Sequence, residues 1–249
     1  MCTTYVAHRL ASDIEAAGGT VSRTLLVRLN PAVAYKTRGN AALAIHTDVD
    51  PDRALELGTE YLSLAETDDE RTNPGLVVAD SPPTAVPDEV ADFARRALRE
   101  HLVIDEARDL ARTAGFRTAD EGNGRGLVGA VAAVGAWRAF DDWTHECLSY
   151  REESRWGTER DVDVDTVFAA AEAGYPDVWD TVDRVEREPV CVPRTPCPVL
   201  HGIRGETPDA VRSVADRIEG EPTPERRVFV TNQGTDAHLQ SAPLAAVVD

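Results

Sequence analysis

Apolar positions along the chain fall into two rhythms. Val6, Leu10, Ile14 and Ala17 recur at helical spacing and predict a helix from about Thr3 to Ala17, closed by Gly18-Gly19. Two continuous apolar runs follow, Leu25–Leu29 and Ala41–Ile45, inside strands predicted over 21–29 and 40–47. Between them lies a polar segment carrying Arg28, Asn30, Lys36, Thr37, Arg38, Gly39 and Asn40, which reads as a loop built to hold an anion. Asp50-Pro51 opens a helix to about Ala65, with proline at the first helical position and acidic residues facing the positive end of the helix dipole. Residues 66–73 read as an acidic loop, and 75–79 as a strand broken by Ser81-Pro82-Pro83. Helices are predicted from Pro87 to Leu98 and from Ile104 to Ala114. A glycine-rich stretch, 116–126, then leads into an apolar small-residue helix over 127–137.

The pattern changes after about Ala139. It predicts a strand over 146–152, a helix over 164–173 with Asp163 or Asp165 at its start, and strands over 189–192 and 198–204 joined by a proline-rich turn. A helix over 208–218 and a strand over 227–231 complete it. The order β-α-β-β-α-β is that of a ferredoxin-like unit. The last strand either closes that sheet or starts a barrel. The fold class is therefore α+β.

At 249 residues with 42% hydrophobic composition, the chain can fill one large domain or two modest ones. It has no run of eighteen apolar residues and no signal-peptide pattern, so a soluble cytoplasmic protein with no membrane partner is expected. The net charge of -18 argues against a nucleic-acid binder at low salt. Lys36, however, is the single lysine among 26 basic residues. Scarce lysine with abundant Asp and Glu fits a halophilic proteome instead. There the Debye length shrinks to ~3 Å at ~1 M salt, and local arginine clusters say more than net charge. Cys2, Cys147, Cys191 and Cys197 lack the CxxC spacing of a zinc knuckle and read as reduced thiols.

Four places carry candidate chemistry. Arg28, Lys36 and Arg38 with the Gly39 backbone suit phosphate: arginine offers a planar fork, lysine a compact point charge. Thr3 and Thr4 at a helix start place hydroxyls beside backbone amides, where threonine can meet a phosphate or its Mg2+ ion. No convincing carboxylate pair accompanies them, and Asp80 and Asp120 read as surface residues. The turn at Gly124, Arg125 and Gly126 before an apolar helix is a second anion candidate, though it is neither a P-loop nor a placed GxGxxG. Arg194, His201, Arg204 and Glu206 form a cluster on the hairpin of the ferredoxin-like unit, where His201 is either a base or a half-buried strand residue.

The stretches MCTTYVAHRL, RLNPAVAYKTRGNAALAI, GNGRGLVGAVAAVGAW, CPVLHGIRGE and RVFVTNQGTDAHL together resemble the archaeal 2-agmatinylcytidine synthetase family, which acts on the minor isoleucine tRNA. The resemblance covers essentially the whole chain. It implies an ATP-dependent ligase that joins agmatine to C2 of cytidine 34 in the anticodon, forming agmatidine. The C2 carbonyl is activated by phosphorylation, and agmatine displaces the phosphate. The implied organisation is an ATP-dependent kinase-like α/β domain over 1–138, a ferredoxin-like domain over 139–225 and the start of an OB fold over 226–249. The implied phosphate-accepting threonine is Thr3. Lys36, Arg38 and Asn40 fall at nucleotide or phosphate contacts, with Thr4, Arg28, Gly124, Arg125 and Gly126 nearby. Asp141, Asp142 and Trp143 are our candidates for the guanidinium of agmatine. The family opens with an acidic GIDDTDS-type motif before MCTT and ends in a zinc ribbon. Neither is in this sequence, so a chain truncated at both ends is expected, with ATP and Mg2+ as cofactors and no metal ligand of its own. Other readings are a non-catalytic remnant binding nucleotide or tRNA, and a small-molecule kinase.

Overall fold

The structure is a computed structural model that describes residues 2–34, 36, 37 and 40–235. The first helical rhythm becomes α1 (Thr3–Ala16), which ends at Gly18 with a φ of 90°, a left-handed turn that glycine adopts without strain. The two apolar runs become β1 (Val21–Arg28) and β2 (Ala41–Thr47), paired antiparallel from Val21↔Thr47 to Arg28↔Ala41. Leu25, Leu26 and Val27 are wholly buried, as a run without polar alternation requires. Next comes α2 (Pro51–Leu62). Asp50 Oδ1 accepts from the amides of Asp52 and Arg53 at 2.9 and 3.1 Å and so satisfies donors the helix leaves open.

β3 (Gly75–Val78), α3 (Asp88–Ala97) and α4 (Ile104–Thr113) follow the predicted order. The stretch 116–126 departs from it. Part of this predicted loop is β4 (Arg117–Asp120), paired with β3 from Gly75↔Asp120 to Val78↔Arg117. Four residues, RTAD, with one apolar member give no run or alternation to read; the strand exists because β3 supplies a partner. α5 (Gly126–Ala139) is apolar on nearly every side and is correspondingly buried. Gly135 lets it touch α3: a Cβ there would lie 2.3 Å from the Val90 carbonyl oxygen.

Val6–Trp143 and Asn232–Thr235 form one unit, and Cys2–Tyr5 with Thr144–Thr231 form another. The second unit contains β5 (Thr144–Tyr150), α6 (Val164–Gly174), β6 (Val178–Trp179), β7 (Val182–Asp183), β8 (Glu188–Pro189), β9 (Val199–Gly205), α7 (Pro208–Ala215) and β10 (Glu225–Thr231). Its strands lie in the order β10-β5-β9-β6 with antiparallel neighbours, the arrangement of a ferredoxin-like sheet.

Two boundaries differ from the sequence reading. β10 pairs along β5 from Glu225↔Tyr150 to Thr231↔Thr144, so residues 226–231 belong to this sheet and not to a barrel. The rest of the stretch 226–249 expected to begin an OB fold lies, after residue 235, outside the described residues. The edge strand expected over 189–192 is instead β6, which pairs with Gly205 and Arg204. Pro189 has no amide to donate, and Glu188–Pro189 forms only a two-residue ladder with Val182–Asp183.

Cys147, Val167, Ala170, Ile203, Val211 and Val214 make the core of this unit. The four cysteines are free thiols; burial pushes Cys147 up to about 11 and Cys191 up to about 12. An enclosed ion pair fastens the loop after β5. The side chains of Arg151 and Glu221 are both 0% exposed. Arg151 Nε and Nη2 both donate to the Glu221 carboxylate, the second at 3.0 Å. Its nitrogens also donate to the Thr158 and Glu159 carbonyls at 3.0 and 2.9 Å. Among the described residues no helix is long and apolar enough to cross a membrane.

Candidate functional site

The polar segment between β1 and β2 is tied at its base. Leu29 N donates to the Asn40 carbonyl and Asn40 N to the Thr37 carbonyl, both at 2.8 Å. Asn40 takes a φ of 42°, the left-handed region its short polar side chain tolerates, and its Nδ2 donates to the Asn30 carbonyl at 2.5 Å. Thr37 Oγ1 accepts from Ala41 N at 2.9 Å. Lys36 is exposed, and its Nζ donates to the Val33 carbonyl at 2.8 Å. Arg38 and Gly39 lie outside the described residues.

Arg28, at the end of β1, meets a segment 204 positions away. Asn232 Oδ1 accepts from Arg28 N at 2.8 Å, and Asn232 Nδ2 donates to the Arg28 carbonyl at 3.1 Å. Gln233 Oε1 accepts from Arg28 Nε at 2.8 Å. The RLNP and TNQGT motifs, separate in sequence, are therefore one construction. Asn232 was missed by sequence reasoning; its signal was a polar amide pair directly after a predicted strand.

Thr3 and Thr4 start α1 and group with the ferredoxin-like unit, whereas Arg28, Lys36 and Asn40 group with the other. Thr3 is exposed. Thr4 Oγ1 lies 3.2 Å from Cys2 Sγ. The hydroxyl of Tyr150, a wholly buried residue on β5, donates to the Thr4 carbonyl at 3.0 Å. Tyr5 packs edge-on against Tyr150 and Trp156, with ring centroids 5.2 and 5.0 Å apart. This aromatic support for the helix start was also missed, because Tyr150 reads simply as a strand residue.

The turn before α5 does not offer its amides to a ligand. Gly126 N donates to the Asn73 carbonyl at 2.8 Å, Leu127 N to that of Gly124 at 3.0 Å and Val128 N to that of Arg125 at 3.1 Å. A Cβ on Gly126 would lie 2.3 Å from Gly75 N, so this glycine serves close backbone crossing. Asn123 Oδ1 takes the Arg125 amide at 2.9 Å. Asp141 and Asp142 are exposed. Trp143 stacks on Trp137 at 5.3 Å, its Nε1 donates to the Phe140 carbonyl at 3.2 Å, and the Arg23 guanidinium lies 3.8 Å over Trp137. The three residues expected at a guanidinium subsite thus divide between open carboxylates and a packed indole.

The hairpin cluster disperses. Arg194 pairs with Glu188, Arg204 Nε lies 3.5 Å from Glu146, and the Glu206 carbonyl accepts from His145 Nδ1 at 2.8 Å. His201 is 1% exposed and faces Ser149 across the sheet. Burial first, and then the charge of Arg226, lower its pKa to about 4, so it is a neutral core residue at neutral pH. Among the described residues no three His, Cys, Asp or Glu side chains converge to hold a metal ion.

Two family models match the chain: the TiaS TCKD domain over residues 1–58 and the TiaS FLD domain over 124–238. A Haloquadratum walsbyi protein named as TiaS, the 2-agmatinylcytidine synthetase of the minor isoleucine tRNA, is 51% identical over 100% of this chain and 54% of its own length. Its Methanosarcina mazei namesake is 43% identical over 97% of this chain and 58% of its own length. The chain thus spans a little over half the length of the curated relatives it matches. The crystal structure of a complex of TiaS with that tRNA and ATP superposes with a TM-score of 0.88 at 39% identity, over 96% of this chain and 57% of that one. That of TiaS with the tRNA, AMPCPP and agmatine gives 0.87 at 38%, over 95% and 57%.

Proposed function

The chain belongs to the archaeal family of 2-agmatinylcytidine synthetases of the minor isoleucine tRNA, and from that premise we propose that it is the part of an ATP-dependent ligase that joins agmatine to C2 of cytidine 34 in the anticodon of that tRNA. The observation that carries this is the shared fold, at 39% identity, with a protein crystallised with the minor isoleucine tRNA and ATP. We assign the segment up to about 138 to ATP-dependent activation and the ferredoxin-like unit after it to a supporting substrate-binding role, acting in the cytoplasm. Magnesium accompanies ATP in this reading.

ATP supplies the phosphoryl group that makes the C2 oxygen of the cytidine a leaving group, and the agmatine amine then displaces it as phosphate. The residues of this chain prepare that reaction. Lys36 presents a compact charge from an exposed loop, with Arg38 beside it in sequence and Arg28 at the loop's root, a set suited to phosphate oxygens. Asn40 shapes the loop. Thr3 offers an exposed hydroxyl at a helix start for a phosphoryl group, and the Tyr150 bond to the neighbouring Thr4 carbonyl keeps that turn in place. We assign Thr4 and, through side chain and turn shape rather than free amides, Gly124, Arg125 and Gly126 to nucleotide binding, and Asp141, Asp142 and Trp143 to recruiting agmatine.

The test is incorporation of labelled agmatine into a transcript of the minor isoleucine tRNA by the chain in high KCl. Incorporation is expected to require ATP and cytidine at position 34. Equal labelling of a transcript with uridine there, or labelling without ATP, would sink the reading.

A further inference from the structure

We propose that Asn232 is a positioning residue for Arg28, and that the turn beginning at Asn232 sets the register of the polar loop between β1 and β2. This deepens the nucleotide-binding reading above and rests on it. Asn232 is 0% exposed. Its carboxamide does for Arg28 what a neighbouring strand would do: it accepts from the amide and donates to the carbonyl of the same residue. Only a carboxamide has an acceptor and a donor side by side. Aspartate lacks the donor and an aliphatic residue lacks both.

The turn is itself pinned. Thr235, 1% exposed, donates its hydroxyl to the Asn232 carbonyl at 2.7 Å. Gln233, the next residue, supplies an uncharged acceptor to Arg28 Nε. Two consecutive amides thus fix both the backbone and the guanidinium direction of one arginine. The chain leaves β1 at this arginine: Leu29 N donates to the Asn40 carbonyl and Asn30 N to that of Ala97. A buried polar side chain costs stability unless every group is paired, and a strand end needs no such device for pairing alone. Fixing the plane of a guanidinium, with the loop rooted beside it, is what an anion site requires.

Three measurements on the 249-residue chain test this: ATP affinity by calorimetry, thermal midpoint, and amide hydrogen exchange over residues 28–40. Asn232→Asp keeps the acceptor for Arg28 N but sets a carboxylate against the Arg28 carbonyl. We expect faster exchange across the loop and ATP affinity about tenfold weaker. Gln233→Glu leaves the backbone clasp intact and places a carboxylate on the guanidinium. We expect weaker ATP binding with a thermal midpoint that holds or rises, a combination a purely structural role does not produce. If Asn232→Asp lowers the midpoint while loop exchange and affinity stay at wild-type values, Asn232 is structural and the proposal is overturned. Unchanged affinity in Gln233→Glu overturns the guanidinium part. A wild-type chain that ignores ATP removes the nucleotide reading of the site, while the exchange data still decide whether Asn232 positions the loop.

Discussion

Arg151 and Arg28 each sit at the end of a strand or just past it, and each is held by a distant part of the chain, but they are held differently. Arg151 is enclosed, its guanidinium forked onto the buried carboxylate of Glu221 and its remaining donors spent on loop carbonyls. Arg28 is gripped through its backbone by Asn232 and through Nε by Gln233, beside a loop whose Lys36 is exposed. The first arrangement consumes an arginine to close a fold; the second, in our proposal, orients one. In a chain with 25 arginines, residue type alone does not separate these two settings; they differ in enclosure and in the acceptors named above.

The comparison can be broken most forcefully at Glu221. Glu221→Ala leaves a buried guanidinium without its carboxylate, and a loss of about 3–5 kcal/mol in urea unfolding is expected. A loss below about 1 kcal/mol would mean that Arg151 finds solvent and that the enclosure is not what holds it.

Acid sharpens the comparison next, because each region has a depressed histidine. His201 in the ferredoxin-like unit and His46 on β2 both have a pKa of about 4, through burial first and then the charges of Arg226 and Arg23 respectively. The unfolded chain takes up these protons near the ordinary value of about 6.5 and the folded chain near 4. Stability contributed by the two is therefore present above about 6.5 and is lost as pH falls toward 4, with a slope of up to about 1.4 kcal/mol per pH unit for each. Urea titrations from neutral pH down to about pH 4.5 measure it; His201→Gln should remove part of the slope.

Lys36→Ala is a smaller, more selective change. It should weaken ATP binding about tenfold, about 1.4 kcal/mol, and leave the thermal midpoint in place. A fall in midpoint without loss of affinity would place Lys36 with Arg151 as a structural cation. The smallest effect is expected from Tyr150→Phe, which keeps the packed ring and removes one hydrogen bond to the Thr4 carbonyl. We expect about 1 kcal/mol of stability lost and phosphoryl transfer slowed by more than that stability change explains.

Much of the frame was legible in the sequence. The apolar runs gave β1 and β2, helical spacing gave α1, and Asp50-Pro51 marked the start of α2, because each signal is local. The order of the ferredoxin-like elements was legible for the same reason. β4 and β6 were not: strands of four and two residues exist only through the partner that accepts them. Prolines drew the edge strand to 189–192, although a proline withholds the donor a ladder uses. At the site, Arg28 and Lys36 stood out by type and placement. The residue that holds Arg28 did not, since nothing local ties Asn232 to Arg28. Glu221 was hidden among 44 acidic residues, where a single carboxylate ordinarily faces water.

Lys36 also makes the loop chemically addressable. The chain contains one ε-amine, and it is exposed on the segment assigned to phosphate contact. A lysine-directed reagent therefore attaches to that loop and to no other side chain. Reductive methylation, which keeps the positive charge, installs an isotope label there without mutagenesis, and its signal reports on the surroundings of Lys36. The compositional bias that replaces lysine with arginine elsewhere has left the molecule with a built-in labelling position.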